Sequence, residues 1–126
     1  MEPQKKLLMI VNPRAGRSKP RGPLYDAAAA FCDAGYELQI TELDIGIKGA
    51  KTEDAYNKQA RKYRSLFKNM QKMAEDGYPV TAVIVWGLND QLSWRRGEDA
   101  LLFDGVMNPK AAYYGALQDD SVPDIE

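Results

Sequence analysis

Hydrophobic and polar positions along this chain follow two alternating patterns. Residues 7–11 and 80–86 are short, nearly continuous apolar runs, the second rich in β-branched residues. Such runs are typical of parallel strands that are buried on both faces. Residues 37–44 carry apolar side chains at Leu38, Ile40 and Leu43 and predict a further strand. The sequence therefore predicts three strands.

Longer segments with helical spacing lie between and after these strands. Pro23 is suited to a first helical turn, and Gly35 is placed to end that helix as a left-handed cap. A second helix is predicted to start after Thr52 and to end at Gly77. Its apolar stripe has spacings of three and four residues and comprises Tyr56, Ala60, Tyr63, Phe67, Met70 and Ala74. A last helix is predicted over 109–117, and residues 119–126 form an acidic tail expected to fray.

Strands and helices that alternate in this way indicate an α/β fold with right-handed crossovers. We expect a three-stranded parallel sheet of β/α units, either a partial barrel or a small doubly wound sandwich. At 126 residues the chain is predicted to form a single domain. Its core is expected to contain Leu8, Ile10, Ile40, Ile84, Tyr63 and Phe67.

Composition restricts the function further. Seventeen basic residues against eighteen acidic ones provide no overall field that would favour nucleic acid or an anionic membrane. The sequence has no histidine, so the commonest general base and the commonest metal ligand are excluded. Its single cysteine, Cys32, excludes an internal disulfide. No cofactor is expected, and because no signal peptide or membrane span is seen, we expect a cytoplasmic protein.

The first 36 residues contain one motif of interest. The segment Lys6-Leu-Leu-Met-Ile-Val-Asn-Pro-Arg-Ala-Gly16 resembles the opening of the diacylglycerol/lipid kinase catalytic domain. The resemblance implies a phosphate-binding loop that contains Asn12, Arg14, Gly16 and Arg17, because a helix start offers free N–H groups and arginines pair with phosphate oxygens. The alternative is a polar strand-to-helix loop without a ligand. The second glycine-rich loop of that family and its acidic metal ligands are absent from the chain.

Residues 37–118 contain five motifs in an order that resembles the C-terminal part of family-ten glycoside hydrolases, the xylanases. The motifs are Ile40-Thr-Glu-Leu-Asp44, Val85-Trp-Gly-Leu-Asn-Asp90, Ser93-Trp94, Leu101-Leu-Phe-Asp104 and Pro109-Lys-Ala-Ala-Tyr113. That family folds as an eight-stranded β/α barrel with its active site at the carboxyl ends of the strands. The resemblance implies that Glu42 is the nucleophile and Asp44 a nearby acid. It also implies that Trp86 and Trp94 line sugar subsites, since aromatic faces suit pyranose rings. The alternatives are a solvated carboxylate and core tryptophans.

The same resemblance implies that part of the mechanism is missing. Retaining glycosidases use two carboxylates about 5 Å apart, one as nucleophile and one as acid/base. The acid/base glutamate of the family lies on the fourth strand of its barrel, which this sequence does not contain. The remaining candidate carboxylates are Glu98, Asp99, Asp90 and Asp104. On these grounds we expect an engineered chimera of two enzyme fragments that has no catalytic activity. The alternatives are a weak phosphate, nucleotide or saccharide binding module, or a residual xylan hydrolase.

The predicted sheet also bears on self-association. Three parallel strands leave two edges with unpaired N–H and C=O groups, and a parallel sheet needs both of its faces covered. A homodimer would bury an edge and an apolar patch together. Self-association is therefore the one partner interaction that we expect.

Overall fold

Strands and helices alternate along the chain, which confirms the α/β class. A computed structural model describes residues 5–9 and 23–125. The elements are β1 (Lys5–Met9), α1 (Pro23–Asp33), β2 (Tyr36–Leu43), α2 (Glu53–Glu75), β3 (Val80–Val85) and α3 (Ala111–Ala116). Gly35 has a φ of 90° and Gly77 one of 92°, which is the left-handed conformation expected at the ends of α1 and α2.

The chain divides into two compact units. The first unit contains Met1–Leu43 and Asn69–Ile84, and the second contains Asp44–Lys68 and Val85–Glu126. Helix α2 contributes residues to both. The prediction that residues 1–126 form a single domain stays a prediction.

The first unit holds the sheet, whose strand order is β1-β2-β3. Strands β1 and β2 are parallel, with Lys5 opposite Tyr36 and Met9 opposite Ile40. On the edge of β2 that faces away from β1, the Leu38 amide donates a hydrogen bond of 2.9 Å to the carbonyl of Pro79, which directly precedes β3. Because β2 lies between two neighbours, its apolar side chains Leu38, Ile40 and Leu43 are buried, and Ile40 is fully buried.

Strand β3 departs from the predicted core. Ile84 was expected to be a central core residue, but 47% of its surface is exposed. The reason is topological, because β3 lies at the end of the strand order and none of its six residues is fully buried. Phe67, in α2, is half-buried rather than fully buried. The side chain of Leu8 and the whole of Ile10 lie outside the described residues.

Helix α2 begins and ends where its sequence signals predict. The amide of Ala55 donates a hydrogen bond of 3.2 Å to the Thr52 hydroxyl, which confirms the N-terminal cap. The predicted apolar stripe needs one correction at its C-terminal end. Ala74 is exposed, whereas Met73 is fully buried. The buried face therefore shifts by one position in the last turn of the helix.

The second unit is built around Tyr63 of α2. This side chain is fully buried, and its hydroxyl donates a hydrogen bond of 2.6 Å to the carbonyl of Ala100. The same carbonyl accepts the amide of Ile45, and the amide of Ile47 donates to the carbonyl of Glu98 at 2.7 Å. Burial raises the pKa of Tyr63, because an ionised phenolate would be poorly solvated there. These bonds tie the segment after β2 to residues 98–100.

The acidic tail is held in place rather than frayed. Val122 is buried, and Asp124 forms ion pairs with Arg64 at 2.9 Å and with Lys68 at 2.8 Å. The Arg64 guanidinium also donates to the carbonyl of Asp119. These contacts correct the expectation of a free C-terminal end, because the basic residues of α2 provide partners for it.

Candidate functional site

Glu42, the predicted nucleophile, stands near the carboxyl end of β2. Side chains two positions apart along a strand share a face, so Glu42 lies on the same face as Leu38 and Ile40. Those two residues are buried, whereas Glu42 is exposed. The apolar face of the central strand thus ends in an accessible carboxylate. An exposed carboxylate at this end of a parallel strand can reach a ligand in solution.

Asp44 follows directly after β2 and is 5% exposed. One of its carboxylate oxygens, Oδ1, lies 2.6 Å from Nη1 of Arg95. The other, Oδ2, accepts a hydrogen bond of 2.7 Å from the indole Nε1 of Trp94. A buried carboxylate is costly unless it is paired and hydrogen-bonded, and here each oxygen has a partner. Asp44 is therefore an anchor for two side chains of the segment after β3.

Arg95 joins Asp44 to a second carboxylate. Its Nη2 lies 2.6 Å from Oε2 of Glu98, and its Nε donates to the same oxygen at 2.8 Å. Burial lowers the pKa of Arg95, but the hydrogen bond to Asp44 and the charges of Asp44 and Glu98 outweigh burial, so the pKa is raised overall. Gly46 makes room for this arrangement, because a Cβ atom there would collide with the Glu98 carboxylate. We refer to Asp44, Trp94, Arg95 and Glu98 as the Asp44 cluster.

The two predicted sugar-binding tryptophans are accessible. Trp86 directly follows β3 and is 52% exposed, and Trp94 is 71% exposed. Their exposure overturns the alternative that they are core residues of this chain. The guanidinium carbon of Arg95 lies 5.8 Å from the centroid of the Trp94 ring, within the range of a cation–π contact. Large exposed aromatic surfaces can stack on the apolar face of a sugar ring.

The other candidate carboxylates have structural partners. Asp90 pairs with Lys110 at 2.8 Å, and Glu98 belongs to the Asp44 cluster. Asp99 accepts a hydrogen bond of 2.6 Å from the hydroxyl of Tyr56, which raises the pKa of that tyrosine to about 12. Asp104 accepts bonds from the backbone and side chain of Asn108, which lower the pKa of Asp104. None of these four is a candidate proton donor on the basis of its contacts.

The predicted phosphate loop, Asn12, Arg14, Gly16 and Arg17, lies outside the described residues, so it stays a prediction. Among the residues that the structure describes, no group of three or more acidic or cysteine side chains could hold a metal ion. Within those same ranges, no helix is both long enough and apolar enough to cross a membrane.

Sequence reasoning missed Arg95. The residue stands next to Trp94, which was selected, and three positions before Glu98. That spacing was its only local signal. Its pairing with Asp44 joins positions 51 apart in sequence, and no local pattern encodes such a contact.

Comparison with known proteins identifies relatives for most of the chain. The model of "Glycosyl hydrolase family 10" matches residues 18–119. The chain is 42% identical over 95 residues to "Exoglucanase XynX" of Acetivibrio thermocellus. It is 38% identical over 94 residues to "Endo-1,4-beta-xylanase A" of Thermoanaerobacterium saccharolyticum. Each alignment covers 73% of this chain but only 8% of the relative. The chain therefore spans a small part of the length of these relatives.

A solved structure gives the same result at the level of the fold. The intracellular xylanase of Thermoanaerobacterium saccharolyticum, as a mutant in complex with xylotetraose, superposes with a TM-score of 0.65 at 36% identity. The superposition covers 74% of this chain and 28% of that xylanase.

These comparisons correct two predictions. The chain was expected to be an engineered chimera without catalytic function and not an enzyme, whereas a glycosyl hydrolase family model matches residues 18–119 and the relatives are named as an exoglucanase and an endo-1,4-beta-xylanase. The family match also begins at residue 18 and runs through α1. Residues 18–36 thus belong with the rest of the match, and the kinase-like origin of residues 1–36 is not supported.

Proposed function

The chain belongs to glycosyl hydrolase family 10, and on that premise we propose that it carries the nucleophile and two sugar-binding tryptophans of a β-1,4-xylan hydrolase. The observation that carries the proposal is the exposed Glu42 near the carboxyl end of the central strand β2. Active sites of β/α barrels lie at the carboxyl ends of their strands. Trp86 and Trp94 support the proposal, since both expose large aromatic surfaces.

In this function Glu42 attacks the anomeric carbon of a xylose unit and forms a glycosyl–enzyme intermediate, which water then hydrolyses. The bond to the leaving sugar breaks as the new bond to the Glu42 carboxylate forms. A sugar leaving group needs a proton from a second carboxylate, which the family resemblance places on a strand outside these 126 residues. An activated phenolate leaves without that proton. The first chemical step can therefore be tested on this chain without the proton donor.

The test uses 2,4-dinitrophenyl β-xylobioside and follows the release of dinitrophenolate by absorbance. We expect release by the native chain and loss of release in Glu42→Gln, because the amide is not a nucleophile. Glu53→Gln is the matched control, since Glu53 is an exposed carboxylate in the first turn of α2 and is expected to leave the rate unchanged.

The 2-fluoro analogue of the same substrate, whose intermediate is hydrolysed slowly, gives a second measurement. Mass spectrometry of a peptide digest should locate the adduct on Glu42. Failure of the native chain to release dinitrophenolate and to form the adduct would contradict the proposed role of Glu42. So would equal rates for the native chain and Glu42→Gln.

Saccharide binding is measured separately, by calorimetry with xylotetraose. Trp86→Ala and Trp94→Ala should each weaken binding, because each removes an aromatic surface that can stack on a sugar ring. If both variants bind as tightly as the native chain, these tryptophans are not the saccharide site.

A further inference from the structure

Trp94 is both exposed and anchored. The residue is 71% exposed, yet its indole N–H donates a hydrogen bond of 2.7 Å to the buried carboxylate of Asp44. From this geometry we propose that Arg95 is a positioning residue that holds the Trp94 indole in one orientation, through Asp44, as a preformed stacking surface for a sugar. The proposal rests on the proposed function of Trp94 in binding saccharide.

The two carboxylate oxygens of Asp44 have different partners. Oδ2 accepts the indole N–H of Trp94, and Oδ1 pairs with Nη1 of Arg95 at 2.6 Å. The two bonds therefore fix the orientation of the carboxylate plane. Loss of the Arg95 bond would leave a buried carboxylate with one partner, and the carboxylate would rotate or draw in water to recover the lost interaction. Either response moves the oxygen that holds the indole.

Arg95 is itself held in place by a second carboxylate, that of Glu98. Its Nε and Nη2 both contact Oε2 of Glu98, and the carbonyl of Glu98 accepts the amide of Ile47. Both side chains lie within the second unit, and that of Arg95 is 9% exposed. The planar fork of a guanidinium can bind two carboxylates at defined angles, which a lysine ammonium cannot do. Glu98 therefore fixes the position of the Arg95 guanidinium, the guanidinium fixes the Asp44 carboxylate, and the carboxylate fixes the indole of Trp94.

Anchoring of the Trp94 indole should strengthen saccharide binding. An unanchored exposed tryptophan samples several rotamers and loses that freedom when a sugar stacks on it. Ordering one such side chain weakens affinity by about 2- to 12-fold. An indole that is held before the ligand arrives avoids this loss. The position of Trp94 also fixes which face of a ring it can contact, so loss of Arg95 should reduce affinity without removing the stacking surface.

The experiment compares Arg95→Met with the native chain and with Arg96→Met, an exposed neighbour, as the matched control. The first readout is the indole N–H resonance of Trp94 and its rate of exchange with solvent, assigned with Trp94→Phe. We expect faster exchange in Arg95→Met and no change in Arg96→Met. The second readout is xylotetraose affinity, expected to fall about 2- to 12-fold in Arg95→Met only.

A double-mutant cycle separates positioning from general damage. If Arg95 acts through Trp94, Arg95→Met should have no further effect on affinity once Trp94 is alanine. An affinity loss of equal size with and without Trp94 would overturn the proposal, as would unchanged indole exchange in Arg95→Met. Should Arg95→Met fail to fold, Arg95→Lys replaces it. Indole exchange equal to that of the native chain in Arg95→Lys would then overturn the proposal, because lysine lacks the fork.

Failure of the proposed function gives a different result. If the native chain does not bind xylotetraose but indole exchange is still faster in Arg95→Met, the proposal that Trp94 binds saccharide is wrong, and so is its role as a stacking surface. The proposal that Arg95 positions the indole would still be supported by the exchange data.

Discussion

Replacement of Gly115 by alanine is a sharp test of the packing in the second unit. Gly115 is a buried residue of α3, where alanine would be the better helix former. A Cβ atom built at this position, however, would collide with the carbonyl oxygen of Ala60 and lie 2.9 Å from its carbonyl carbon and 3.2 Å from its Cα. These atoms are backbone of α2, so they cannot rotate away as a side chain would. The two helices must therefore separate.

The expected magnitude follows from two opposing terms. Alanine in place of glycine in a helix interior favours the helix by about 1 kcal/mol. Forcing an extra methyl group into a well-packed site costs about 1–3 kcal/mol, and a clash with backbone belongs at the upper end of that range. We therefore expect Gly115→Ala to lower the free energy of unfolding by about 2 kcal/mol. In urea, where a small protein loses about 2 kcal/mol per molar denaturant, this lowers the midpoint by about 1 M.

The assay is urea unfolding followed by far-UV circular dichroism and by tryptophan fluorescence. Gly87→Ala is the matched control, since among the described residues a Cβ atom there would meet only a methyl group of Leu101 at 3.8 Å, an ordinary contact. That variant should be neutral or slightly stabilising, because it restricts the unfolded chain. If Gly115→Ala instead gains the stability that helix propensity alone predicts, the close approach of α3 to the Ala60 backbone is refuted.

Three further predictions concern tyrosines and assembly. The hydrogen bond from Tyr56 to Asp99 raises the folded-state pKa of this tyrosine, so its contribution to stability is complete below pH 10 and is lost as the pH rises towards about 12. Asp99→Asn should lower that pKa, measured by phenolate absorbance, and an unchanged titration would contradict the assignment. Tyr63→Phe should cost about 1 kcal/mol in urea unfolding, because the Ala100 carbonyl that it leaves still accepts the Ile45 amide. A loss above about 3 kcal/mol would mean that the carbonyl is left without a partner. The predicted homodimer should give a mass by light scattering of twice the 14.1 kDa of one chain, and a mass that stays at 14.1 kDa at high concentration would exclude it.

Within the described residues, local sequence signals predicted the ends of α1 and α2 correctly, but they predicted the burial of individual side chains less well. The cap at Thr52 and the left-handed glycines at positions 35 and 77 lie where the sequence predicts them. Such signals act over one helical turn, so the neighbouring residues contain all the information that is needed. Burial at Ile84 was misjudged, since its apolar run looks the same in a central strand and in an edge strand. The strand order, which no single segment encodes, made β3 an edge.

The candidate site shows the same division. Family resemblance in the sequence selected Glu42, Trp86 and Trp94, and it did so because motif residues are close together along the chain. The sequence could not show that Asp44 is buried, or that Arg95 pairs with it. That contact joins the end of β2 to a segment beyond β3, so it exists only when the intervening helix and strand bring the two segments together. The sequence determined which residues are candidates for the chemistry, and the tertiary structure decided which of them are exposed and which partners Asp44 and Trp94 have, because pairing between distant positions depends on the packing of everything between them.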